Sequence, residues 1–99
     1  MESLSSVIPR VFKQLGLEDG LLGWRAVHEW EQAVGPRIAR HTRAVAFREG
    51  VLQVEVEGSA WMHELGFLKT DLMRKVNRHL GSRQVKNVRF VVPRGGSLR

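Results

Sequence analysis

Four histidines, His28, His41, His63 and His79, are the side chains of this 99-residue chain best suited to moving a proton near neutral pH. Their spacing argues against a shared site. No two stand in the H-E-x-x-H pattern or at the short histidine-to-histidine interval of zinc sites, so no pair is set to hold a metal ion. His63-Glu64, beside Trp61, puts a base next to an acid. Adjacent residues on a helix point in different directions, however, and do not act on one proton. The four histidines therefore read as surface residues. Cysteine is absent, which removes disulfides, thiolate metal ligands and a cysteine nucleophile. Neither G-x-S-x-G, a Walker-A loop nor G-x-G-x-x-G occurs. The residues point away from an enzyme, and no metal or cofactor is expected.

What the chain does offer is positive charge. Its net charge is +6 and its isoelectric point lies near 11.1. Residues 1–35 sum to −2, residues 36–48 to +4, residues 49–64 to −4 and residues 65–99 to +8. The first basic block holds Arg37, Arg40, Arg43 and Arg48; the second offers Lys69, Arg74, Lys75, Arg78 and Arg83 as contacts. Two such blocks could merge on folding into one phosphate-binding surface. Twelve of the sixteen basic residues are arginine, a bias that a GC-rich genome produces without function. Charge alone favours nucleic-acid contact over a merely solvated surface. Gly20 to Gly23, "GLLG", has the G-x-x-G form of a loop that clamps a nucleic-acid backbone. Its middle residues are leucines where such loops carry polar or basic side chains, so it reads as a turn between helices.

The elements that must position these residues follow from periodicity. Leu4, Val7, Ile8, Val11, Phe12 and Leu15 form one helical face, with Ser5 or Ser6 as cap, Pro9 in the first turn and Gly16 as stop. A second helix is expected from Leu21 to Val34, with Gly23, Val27, Trp30 and Val34 inward, and "RIARHT" adds a short turn. "RAVAFREGVLQVEVE" reads as a hairpin turning at Glu49-Gly50, with Arg48 opposite Val51, Phe47 opposite Leu52 and Val45 opposite Val54. Ala44, Ala46, Arg48, Val51, Gln53 and Glu55 then fall on the solvent face. Ser59 caps a helix whose stripe is Trp61, Leu65, Leu68, Leu72 and Val76, with Leu80 at its edge, ending at Gly81. Trp61 is thus in phase with the core, expected to pack at least in part against the sheet. Phe67 is out of phase: either Gly66 breaks the helix, the favoured reading, or Phe67 is an exposed aromatic beside arginines. "QVKNVRFVV" is a last strand with Val88, Phe90 and Val92 inward and Arg89 outward.

The expected class is α/β, more specifically α+β, in the order α-α-β-β-α-β, or α-α-β-β-α-α-β if Gly66 breaks the helix. The crossover makes the last two strands parallel, giving a three-stranded mixed sheet with helices on one face. The length suits one domain over residues 1–93, followed by a flexible tail at 94–99. No apolar run is long enough to span a bilayer, and the N-terminus does not read as a signal peptide. A cytoplasmic location is expected.

Taken in order, Trp30 with Val34-Gly35, Ile38-Ala39, His41-Thr42, the hairpin "GVLQVEV", Ser59-Ala60-Trp61 with Glu64-Leu65, the leucine-rich helix and "VKNVRF" resemble the DciA family of bacterial proteins. The likeness runs over roughly residues 4–92. It implies a KH-like fold of type II and a role in loading the replicative DnaB helicase onto single-stranded DNA. A type II KH domain would carry its G-x-x-G after the hairpin, where this chain reads Gly66-Phe67-Leu68-Lys69 and lacks the second glycine. It also lacks almost all of the basic C-terminal extension common in that family. The partner surface expected from this likeness is partly apolar and free of strong charge: Ala44, Ala46, Val51, Gln53 and Val91 on the open sheet face, with Met62 and Phe67. An RNA-binding KH-like protein and a pure protein-interaction module are the competing readings. Oligomeric state is not legible in the sequence.

Overall fold

The computed structural model describes residues 4–16 and 18–93, without the side chains of residues 4–6, 18 and 19. The order is α1 (Leu4–Gln14), α2 (Glu18–His28), α3 (Trp30–Val34), α4 (Pro36–Ala39), β1 (Thr42–Arg48), β2 (Val51–Val56), α5 (Ser59–Leu80) and β3 (Asn87–Val91). The sheet order is β1-β2-β3, with β1 antiparallel and β3 parallel to β2. This is the mixed three-stranded α+β architecture expected. The parallel pair requires a long connection, and α5 supplies it, running about 33 Å at 1.5 Å per residue back to the end where β2 began.

The core lies where the two periodicities meet. Leu52, Val54 and Val56 alternate along β2 and are almost wholly buried, as is Val88 of β3. Leu65, Leu72, Val76 and Leu80 of α5 cover them, and Trp30, Val34 and Ile38 close one side. Each such side chain stabilises the fold by about 1.5 to 3 kcal/mol relative to exposure.

Glu49 and Gly50 both turn with positive φ, 53° and 84°, which matches the twist of a tight hairpin. Arg48 pairs with Val51 and Phe47 with Leu52, as expected. The register then shifts: Ala46 pairs with Gln53 and Ala44 with Val54, leaving Val45 as an extra, bulged residue. Val45, expected inward, is 36% exposed, and Ala44, expected on the open face, packs against the core. A bulge reverses side-chain alternation beyond it. The reversal brings Thr42 inward opposite Val56. There the buried Thr42 hydroxyl accepts the Trp30 Nε1–H at 2.8 Å and donates to the Ile38 carbonyl at 2.9 Å. An unpaired indole N–H at this depth would cost about 1 to 3 kcal/mol, so the polar residue is a consequence of the tryptophan.

The helices depart from expectation in several places. α1 begins at Leu4, so Ser5 and Ser6 lie inside it and Pro9 sits in its second turn. Its main neighbour is α2. Val7, Ile8 and Phe12 are half-buried, while Val11 and Leu15 are 42% and 65% exposed. α1 therefore stands beside the core and does not join it. Gly20 to Gly23 lie within α2, not in a turn. A Cβ at Gly23 would come 2.7 Å from Phe47 Cδ1, so this glycine lets β1 approach the helix. The single helix expected over 21–34 is divided at Glu29, whose φ of −111° and ψ of 18° leave the helical range. α5 runs unbroken through Gly66 and begins one residue after its cap position, Gly58, with no side-chain cap bond from Ser59. Gly66 lies on the exposed side, where a Cβ would meet nothing. Its cost of up to about 1 kcal/mol is offset by the packing of the rest of α5. Phe67 consequently points outward, 76% exposed, with its ring edge-on to His63 at 5.0 Å. Val92 lies past the end of β3 and is 71% exposed, not inward. The tail at 94–99 lies outside the described residues. Among those described, no helix is long and apolar enough to cross a membrane.

Candidate functional site

The parallel strands β2 and β3 begin at the same end of the sheet, which is also the end of the hairpin turn and of α5. The Gly50 carbonyl accepts the Lys86 N–H at 2.7 Å and the Asn87 N–H at 3.2 Å, and so ties the hairpin tip to the segment after α5. Beside this junction lies an open groove of about 990 Å³, walled by Arg74, Arg78, Arg83 and Lys86 over Met73 and Val85. Among the described residues, no carboxylate lines it. Asp71 reaches Arg74 only at 3.8 Å, with both side chains largely exposed, a contact of little energetic weight. Around the hairpin, Arg48, Arg89 and the carboxylate of Glu49 border a shallow depression on the open sheet face, over Ala46, Val51 and Gln53. Six cations thus share one pole of the molecule: Arg48, Arg74, Arg78, Arg83, Lys86 and Arg89.

The remaining arginines of the first block are elsewhere. Arg37 lies 6.0 Å from the Trp61 ring centroid, and Trp61 stacks on His41 at 4.3 Å with an interplanar angle of 18°. Arg40 caps α4 nearby in sequence, and Arg43 pairs with Glu55 at 2.7 Å. The rise of α5 separates Trp61 from Leu80 by roughly 28 Å. The two sequence blocks therefore do not merge as expected; Arg48 joins the second block and Arg37 stays at the far pole. In the second block, Lys69 is half-buried with its ammonium 6.0 Å from the Phe90 ring, and Lys75 is exposed without lining the groove. Trp61 itself is half-buried at the rim of the core.

Lys86 and Arg89 are the cations that sequence reasoning left out. Alternation had already put Arg89 outward; what it could not give was the parallel register that sets Arg89 beside Gln53. Of the expected partner residues, Ala46, Val51 and Gln53 share the open face, and Val91 aligns with Glu55 on β2. Ala44 does not belong there, for the bulge turns it to the core. Met62 is half-buried against the core on α5, and Phe67 is exposed on the same helix. The open face is also not free of charge, being bordered by Arg48, Arg89 and the Arg43–Glu55 pair. The Gly66-Phe67-Leu68-Lys69 stretch lies inside a continuous helix, so no backbone-clamping loop forms there.

One titrating cluster links α2 to α5. Arg25 Nε and Nη2 hydrogen-bond the Glu29 carboxylate at 3.1 to 3.2 Å, and His79 Nε2 lies 2.8 Å from Glu29 Oε1. The Arg25 hydrogen bonds hold the Glu29 carboxyl below its usual 4.5, against the opposing effect of burial, with His79 adding to the lowering. A depressed carboxylate stabilises the fold above its unfolded value, and the contribution is lost as pH falls through the folded value. Unfolding free energy should therefore decline as pH drops below about 4.5, by up to about 1 kcal/mol from this cluster. Glu29→Gln should flatten that part of the profile in urea titrations; an unchanged profile would show the cluster to be energetically silent. Among the described residues, no group of three histidines or carboxylates is placed to hold a metal ion.

Fold and surface together describe a small, basic α+β module that presents charge at one pole and an aromatic pair at the other. Residues 3–90 match the family described as Dna[CI] antecedent, DciA, and the chain belongs to that family. It is similar to a UPF0232 protein of Rhodococcus jostii, 29% identical over 90% of this chain and 47% of the relative. It is also similar to UPF0232 proteins of Mycobacterium ulcerans, 34% identical over 72% of this chain and 38% of the relative, and of Mycolicibacterium smegmatis, 33% identical over 78% and 43%. The chain thus spans about half the length of these relatives, or somewhat less.

Proposed function

We propose that the chain is a non-enzymatic module of helicase-loader type. On this reading it holds single-stranded nucleic acid at the basic pole while another surface contacts a DnaB-type replicative helicase. The observation that carries the nucleic-acid part is the gathering of four cations, Arg74, Arg78, Arg83 and Lys86, around a groove that, among the described residues, no carboxylate lines. Such a surface attracts phosphates, releases their counterions and is indifferent to base sequence. Family membership supports the replicative setting. The mechanism is positional: the module biases where a strand and a helicase meet and makes or breaks no covalent bond.

The helicase contact is assigned to surfaces that leave the groove free. The open sheet face around Ala46, Val51, Gln53 and Val91 is one, and the Phe67 patch on the outward side of α5 is the other. Co-purification with the host replicative helicase, scored beside loading of that helicase onto a single-stranded circle, tests the reading. Gln53→Arg or Phe67→Ala should abolish association while leaving oligonucleotide binding intact. A wild-type protein that neither binds the helicase nor alters its loading would overturn the loader reading. A strong preference for RNA over DNA of the same sequence would favour RNA handling instead.

A further inference from the structure

Asn77 stands one turn before the end of α5, on the wall of the basic groove. Its Nδ2 donates to the Val85 carbonyl at 2.8 Å, and its Oδ1 accepts the Val85 N–H at 3.0 Å. One side chain thus satisfies both backbone groups of a residue that is itself 1% exposed. The Asn77 carbonyl also accepts the Ser82 N–H at 3.0 Å, and the Arg78 carbonyl accepts the Gly81 N–H at 3.2 Å. With Gly81 in the left-handed region at φ 68°, these two bonds close α5 in a Schellman motif. The next residues, Lys86 and Asn87, are fixed from the opposite side by the Gly50 carbonyl. The segment from Gly81 to Asn87 is therefore pinned by the helix at one point and by the hairpin at another. Arg83 and Lys86 are the cations it carries.

We propose that Asn77 is a positioning residue for phosphate recognition. By bracketing Val85 it holds Arg83 and Lys86 across the groove from Arg74 and Arg78, so that four cations face one strand together. Asn77 does not contact the strand; it acts through the two cations beyond it. Preordering such a segment removes the entropy cost that a loose loop would meet on binding. An apolar residue of similar size would fill the same volume but leave the Val85 amide and carbonyl without these partners. The proposal rests on the nucleic-acid reading above.

The test is a titration of a fluorescein-labelled thymidine oligonucleotide of about 15 nucleotides, a span suited to a small module, across a series of salt concentrations. Asn77→Ala should weaken binding on the order of ten-fold at about 0.1 M salt and flatten the slope of log K against log salt by about 1.4, the share of two single-strand phosphates. The Arg83→Gln/Lys86→Gln pair should show the same loss, and adding Asn77→Ala to that pair should weaken binding no further. Circular dichroism at the titration temperature checks that each variant is folded. Should Asn77→Ala not fold, Asn77→Ser, which can keep one bond to Val85, takes its place, with a smaller loss of slope expected. A folded variant with unchanged slope, or a triple variant whose losses add, would overturn the proposal and leave Asn77 a brace of the fold alone. If the wild-type protein does not bind at low salt, the nucleic-acid reading falls and this proposal with it. Wild-type binding that persists unchanged in the Asn77 variant sinks the proposal alone.

Discussion

Replacing Trp30 with alanine is expected to lower the unfolding free energy by about 3 to 5 kcal/mol, and the same change at Trp61 by about 1 to 2 kcal/mol. Trp30 is 4% exposed and sits where α3 meets the sheet. Removing it leaves a large cavity and strips Thr42 of its donor, at a position where the Thr42–Ile38 bond is already buried. Trp61 is only half-buried; its ring lies between the core rim and His41, and truncation there lets solvent in without opening a closed void. Many small domains have total stabilities of about 5 to 15 kcal/mol, so the first variant should sit near the edge of folding at 37 °C and the second should not. Urea denaturation of the two variants decides the matter. Equal losses would place Trp61 fully in the core.

Reversing Arg74 and Arg78 together to glutamate should cost about a hundred-fold in affinity for single-stranded DNA at about 0.1 M salt. The wild-type slope of log K against log salt should be about −3, for four or five phosphates, and should roughly halve. The groove is the reason: two of its four cations become anions in a site that, among the described residues, no carboxylate lines at present. Reversing Arg37 and Arg40 instead should change affinity less than about three-fold, since they lie beside Trp61 and α4 at the far pole, beyond a Debye length of about 10 Å. Comparable losses from the two pairs would mean that the strand runs the length of α5 and that the division into poles is mistaken.

Much of the fold was legible in the sequence, because helix and strand periods are written in apolar residues. Trp30, Leu52, Val54, Leu65, Leu72 and Val88 were placed inward by period alone, and the parallel β2–β3 pair followed from the crossover. Val45 was not legible. A valine in a bulge looks the same as a valine in register, and only the need to pair the Trp30 indole reveals the shift. Gly66 misled for a related reason, since a glycine's local cost is real but the packing of a 22-residue helix outweighs it. The candidate site was half legible. Charge showed two basic blocks, yet which residues meet depends on where the hairpin tip lands. The parallel β2–β3 pairing and the bonds from Lys86 and Asn87 to the Gly50 carbonyl hold that tip in place, and a backbone carbonyl carries no signal of its own in the sequence.

The bulge at Val45 has a consequence for how other chains can join this one. β1 is an outer strand, and outer strands offer free backbone groups to any extended peptide. Recognition by adding a fourth strand needs an uninterrupted ladder of amides and carbonyls. On β1 that ladder is broken between Ala44 and Ala46, and Arg43 and Arg48 stand to either side of the break. The opposite edge, β3, is five residues long, carries Arg89 and is soon followed by Pro93, which has no amide to give. Both margins of the sheet therefore resist templated growth, whether into aggregates or into shared sheets with a partner. A partner that docks on this module is expected to read side chains on its faces, leaving the backbone of the sheet to its own three strands.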